Sequence, residues 1–121
     1  MDKAQAYQSL WGRFGIPAYN ELSVPDGAKM PYITYQTIYD SFDEPVYPTA
    51  SLWYRDTSWL KIDAKLKEIS KEIDEMDDIP LDEGFMTVNM NNPFAQPLAD
   101  DENRDVKRYI MSVGIEFLTN Y

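Results

Sequence analysis

VKRYIMSVGIEFL, residues 106–118, sets Tyr109, Met111, Val113, Ile115 and Phe117 in alternation with Arg108, Ile110, Ser112, Gly114 and Glu116. A period of two sends the first set to one face of a strand and the second set to the other. The stretch is therefore expected to be a strand with one buried face. That reading makes a sheet the centre of the fold and raises the question of what covers the apolar side.

The cover lies upstream. From Ser58, a suitable N-cap, the residues Trp59, Ile62, Leu66, Ile69 and Ile73 recur at steps of three and four, and most of the intervening positions are Lys, Asp or Glu. This spacing predicts one amphipathic helix over about 58–75, with an apolar stripe to lay on a sheet. A second, shorter helix is expected over Lys3–Phe14, where Ala6, Tyr7, Leu10, Trp11 and Phe14 share a stripe and Gly15 and Pro17 end it. Tyr32–Tyr39 (YITYQTIY) and Ala50–Thr57 are rich in β-branched and aromatic residues and read as a β-hairpin with a long connection.

Pro17, Pro25, Pro31 and the turn signal Pro25-Asp26-Gly27 make residues 16–31 a structured loop, with room for a short extended piece over Ala18–Glu21. Asp74–Gly84 is acidic around Pro80 and is expected to be a loop, after which Phe85–Met90 reads as a third strand. Asn91–Asp105, with Pro93, Pro97 and the run Asp100, Asp101 and Glu102, is expected to be a long excursion between strands. The expected fold class is α+β, one domain over residues 1–121. It has an antiparallel sheet of about four main strands with two helices packed against it, in the order helix, strand, strand, helix, strand, strand.

Composition excludes much chemistry. The chain has no Cys and no His, which removes disulfide scaffolds, thiolate catalysis and the commonest general base and transition-metal ligands. No Gly-rich phosphate loop and no pair of carboxylates stands out, so no catalytic residue is assigned and an enzyme is not expected. The acidic run 74–83 lacks the spacing of a calcium loop and is read as solvated, so neither a metal nor a cofactor is assigned. A formal net charge of -10 argues against free-standing nucleic-acid or membrane-surface binding. It permits mimicry of nucleic acid, or the lining of a passage through which DNA slides. No segment approaches the roughly 20 apolar residues of a bilayer span. Met1–Leu10 lacks the pattern of a signal peptide, so a soluble protein kept inside a cell is expected.

Two groups of residues invite a functional reading. Trp53, Tyr54, Trp59, Tyr32, Tyr35 and Tyr39 suit either a base-stacking platform or a core and subunit interface. The acids Asp40, Asp43, Glu44 and Asp56 around them favour the second. Asp100, Asp101, Glu102, Arg104 and Asp105, with Arg55, Lys107 and Arg108 on or beside strands, are candidates for a contact between subunits. There, an acidic loop on one copy would meet a basic patch on the next.

The ordered combination of GIPAYNELSVPDGAKMPYITYQTIYD, residues 15–40, with SLWYRDTSWLKIDAKLKEI and YIMSVGIEF resembles the small tail terminator, or tail completion, proteins of long-tailed bacteriophages. The residues that carry the match are Pro25, Asp26, Gly27, Pro31, Tyr32, Ile33, Thr34 and Tyr35. This resemblance implies a structural protein of the virion, assembled in the host cytoplasm, that forms a hexameric ring on the head-proximal end of the tail. Its implied partners are copies of itself, the tail tube protein and the head-tail connector. Phage DNA would pass through the lumen without specific binding, and no membrane is involved. A neck or head-completion protein is the related alternative, and an acidic mimic of nucleic acid is the alternative from a different class.

Overall fold

Alternation over 106–118 does produce a strand, and it lies in the middle of the sheet. The computed structural model describes residues 1–39, 44–99 and 102–118. Its elements are α1 (Lys3–Trp11), β1 (Ala18–Asn20), β2 (Tyr32–Tyr35), β3 (Thr49–Arg55), α2 (Leu60–Glu75), β4 (Ile79–Pro80), β5 (Phe85–Ala99) and β6 (Val106–Leu118). The strands form one six-stranded sheet in the order β1-β2-β3-β6-β5-β4.

This corrects the expected α+β domain with four antiparallel strands. Strand residues outnumber helical ones, and the sheet is mixed and curled into a half-barrel. The β1 strand runs parallel to β2, with Ala18 opposite Ile33 and Asn20 opposite Tyr35, while every other pairing is antiparallel. The two added strands, β1 and β4, are too short to carry a periodic signal, and β4 includes Pro80. They are strands because a neighbour supplies the hydrogen bonds.

The second correction concerns 91–105. Strand β5 does not stop at Met90 but continues to Ala99, so only the last part of the expected excursion is a connection. Between Met90, opposite Val113, and Ala95, opposite Met111, the register shifts, because residues 91–94 face the single residue Ser112. Pro93, preceded by a cis peptide bond, sits in this bulge, where an irregular ladder tolerates a residue without an N–H.

Both helices bury their stripes in one core. Ala6, Tyr7, Leu10 and Trp11 of α1 and Ile62, Ile69 and Ile73 of α2 pack with Ile33, Leu52, Met86, Met111, Val113, Ile115 and Phe117 of the sheet. Helix α2 lies on β3 and β5, and α1 touches β1 and β4, the two opposite edges of the sheet. The curl thus brings the edges toward one helix, which binds each of them. Gln8 Nε2 donates to the Ala18 carbonyl at 3.2 Å on one side, and the Asp82 N–H donates to the Met1 carbonyl at 2.8 Å beyond β4 on the other.

Helix boundaries follow local chemistry. Asp2 caps α1 in a reciprocal box with Gln5, each side chain accepting from the other residue's backbone N–H at 2.8 and 2.9 Å. Ser58 acts one residue earlier than a true cap of α2: its Oγ accepts from the Leu60 N–H at 3.1 Å, while Trp59 occupies the cap position.

Candidate functional site

Because α1 and α2 cover one face of the sheet, the even-numbered side of β6 faces away from them. Among the described residues no helix covers this second face, and four cross-strand rows of the uncovered face follow from the register. Tyr32, Trp53, Arg108 and Leu98 form one row and Thr34, Ser51, Ile110 and Gln96 the next. Thr49 lies opposite Ser112, which receives a hydrogen bond from Asn91 Nδ2 at 2.7 Å, and Val46 bridges Ile115, which brings Tyr47 beside Gly114.

The first row is a continuous aromatic and cationic surface. Tyr19 and Tyr32 meet edge to face at 5.9 Å, Tyr32 and Trp53 lie 6.4 Å apart, and the Arg108 guanidinium sits 4.5 Å above the Trp53 ring. Trp53 Nε1 donates to Thr34 Oγ1 at 2.9 Å and Arg108 Nε donates to Ser51 Oγ at 3.0 Å, so both side chains are held in place by the neighbouring row. A stacked guanidinium contributes about 0.5–1 kcal/mol at an exposed site. Trp53, Tyr32 and Arg108 are only partly buried, and Leu98 at the end of the row is 41% exposed.

At the end of this row lies the corner that connects β5 to β6. Arg55 donates to Asp105 Oδ2 at 2.8 Å, and the Asp56 N–H donates to the Asp105 carbonyl at 2.7 Å. The Arg55 guanidinium holds the Asp105 carboxyl below its ordinary value. Lys107, 7% exposed, donates to the Arg104 carbonyl and stands 5.6 Å from the Trp59 ring on the helix side. Tyr109, also on that side, donates to Asp63 Oδ1 at 2.6 Å, and this bond is the main reason that its hydroxyl is pushed up to about 12.

The structure thus brings Arg55, Asp105, Arg104, Lys107 and Arg108 to one corner, as the spacing along the chain does not reveal. It does not make them a uniform basic patch. Arg55 is paired, Lys107 is turned inward, and Arg108 belongs to the aromatic row. Glu102 is exposed near the same corner, and Asp100 and Asp101 lie outside the described residues.

The residues of the motif divide. Ile33 and Tyr35 are core, while Tyr32 and Thr34 belong to the uncovered face. Pro25, Asp26 and Gly27 form an exposed turn closed by the Ala28 N–H on the Pro25 carbonyl at 3.1 Å, and a cis bond precedes Pro31. The aromatic set divides too: Tyr54 and Trp59 pack on the core side with Tyr35, and Tyr39 meets Tyr7 edge to face. Asp40 and Asp43 lie outside the described residues.

Sequence reasoning missed the neutral cleft beside the aromatic row, lined by Tyr47, Asn91, Gln96 and Ser112 among others. Alternation already placed Ser112 opposite the core face, but the bulge that brings Asn91 onto it has no signature in the chain. Among the described residues no group of three acids is placed to hold a metal ion, and no helix is long and apolar enough to cross a membrane. No family model, curated protein or solved structure matches this chain.

Proposed function

We propose that this protein is a structural component of a phage tail, a terminator that closes into a ring on the end of the tail tube. One observation carries the reading beyond the motif resemblance: a sheet whose second face is left uncovered by the described residues and bears a Tyr-Trp-Arg row. Such residues are enriched at the centres of protein interfaces, where they supply large contact areas and directed hydrogen bonds. A face of this kind on a chain of 121 residues suits an assembly subunit better than a free monomer.

The mechanism is geometric. A ring needs two different surfaces on each subunit, and the molecule is different at its two ends. Asp74, Glu75, Asp77, Asp78, Asp82 and Glu83 gather where α2 ends and β4 turns into β5, whereas Arg55, Arg104 and Arg108 stand at the opposite end of the sheet. Ring contacts would join unlike surfaces of successive copies. One side of the ring would then occupy the last layer of the tube and deny it to further tube subunits, leaving the other side for the connector. A neck protein would use the same ring on the head side.

Light scattering on the purified chain, alone and with tail tubes, tests this reading. The expected result is a species of six times 14.1 kDa that appears as rings in negative stain, either alone or at tube ends. A chain that stays monomeric even with tubes present would overturn it, and tubes polymerised from this chain itself would make it a tube subunit instead.

A further inference from the structure

On the uncovered face, next to the aromatic row, the β5 bulge raises the wall of a cleft of about 480 Å³. That volume falls within the roughly 300–1,000 Å³ of small-molecule sites. We propose that this cleft binds a neutral saccharide. The proposal goes beyond the ring reading and does not depend on it.

Among the described residues the lining contains no charged side chain, on a protein in which 26% of residues are charged. A phosphate, carboxylate or ammonium ligand would find no counter-charge there, so the chemistry selects an uncharged molecule. The polar lining residues are Tyr47, Thr49, Asn91, Asn92, Gln96 and Ser112. Each of these amides and hydroxyls both donates and accepts. Groups that also do both, set close together on a small frame, are the hydroxyls of a sugar. Phe94 and Ile110, with the ring of Tyr47, add apolar surface suited to the C–H face of a pyranose.

The site is held in shape by the fold. Asn91 Nδ2 donates to Ser112 Oγ at 2.7 Å, which fixes the amide, and Thr49 lies directly opposite Ser112 across the strand pair. Gly114 lies beside the cleft, where a Cβ would make ordinary contacts with Asn91 Oδ1 at 3.4 Å and Tyr47 Cε1 at 3.5 Å. Polar groups ordered before a ligand arrives lose less freedom when it binds.

Amide-resolved NMR titration of the whole chain tests the proposal, with glucose, galactose, N-acetylglucosamine and maltose as saccharide probes. Adenosine and a blocked neutral peptide serve as uncharged probes for a nucleobase and a peptide ligand. At least one saccharide is expected to shift the resonances of Asn91, Asn92, Gln96 and Ser112 saturably, with a Kd of about 1 mM or tighter. Asn92 and Gln96 are exposed, so Asn92→Ala and Gln96→Ala should fold normally and weaken that binding roughly three- to tenfold each. Thr87→Ala, in β5 but away from the cleft, should leave it unchanged. Saccharide shifts that map elsewhere, no saturable shift with any of the four, or binding of adenosine or the peptide alone would each overturn the assignment.

Discussion

Tyr7 shows how one side chain joins distant parts of the chain. It is fully buried in α1, donates to the Ile38 carbonyl at 2.5 Å and accepts from the Ile38 N–H at 3.3 Å, which ties the end of the β2 segment to the helix. Burial is the main reason that its hydroxyl is pushed up to about 12. A tyrosine that ionises later in the folded than in the unfolded chain favours folding fully below the unfolded value near 10. That contribution is lost as pH rises from there through the folded value, because the unfolded chain releases the proton first. Stability measured by urea unfolding should therefore fall between about pH 10 and pH 12, with Tyr7 and Tyr109 ionising late by absorbance. Tyr7→Phe should cost about 1–3 kcal/mol near neutral pH, since it leaves both backbone groups of Ile38 without their partner. A variant as stable as the parent would show that water satisfies those groups.

Among the elements, the β5–β6 hairpin carries most of the candidate surface. Its corner is closed by the Arg55–Asp105 pair, in which the side chains are 56% and 42% exposed. Solvent screens a pair this open, so Arg55→Ala should unfold at nearly the same midpoint as the parent. If the corner belongs to a subunit contact, the same variant should lose much of its ring yield, and the parent's yield should fall as ionic strength rises. Rings formed equally well by the variant and at high salt would remove this corner from the interface. The bulge in the same hairpin serves another end. By adding residues to β5 without adding any to β6, it lifts Asn92, Pro93 and Phe94 out of the ladder and makes a wall where a regular strand would leave a flat surface.

At the scale of the whole molecule, the curled sheet is held by α1 at both of its edges. Exposed strand edges invite pairing with other chains, and β1 and β4 are both short and both in contact with this helix. Removing residues 1–14 would uncover the edges together with the core side chains packed on Tyr7, Leu10 and Trp11. The truncated chain should lose cooperative unfolding and aggregate, as followed by circular dichroism and light scattering. A soluble truncation with a sharp thermal transition would show that the half-barrel stands without its helix. The acidic end and the Arg-bearing end of the sheet likewise exist only at this scale, since the residues of each come from separate segments.

Alternation and helical spacing determined the elements that bury a repeating stripe. The bounds Val106–Leu118 are those read from the chain, the 58–75 helix is Leu60–Glu75, and the antiparallel β2–β3 pair is the expected hairpin, with β2 ending at Tyr35 and not at Tyr39. These elements were legible because each must present apolar residues at its own period to stay buried. The parallel pairing of β1, which falls on the extended piece expected over Ala18–Glu21, was not, nor were the two-residue β4 and the continuation of β5 past Met90. A short or Pro-containing strand owes its hydrogen bonds to its neighbour and not to its own residues. The candidate site divides in the same way. The residue types at Arg55, Asp105, Lys107 and Arg108 could be picked from the chain, but which of them pairs, stacks or turns inward was decided by strand register. The neutral cleft came wholly from tertiary structure, because a register shift opposite Ser112 put Asn91, Gln96 and Tyr47 around one space.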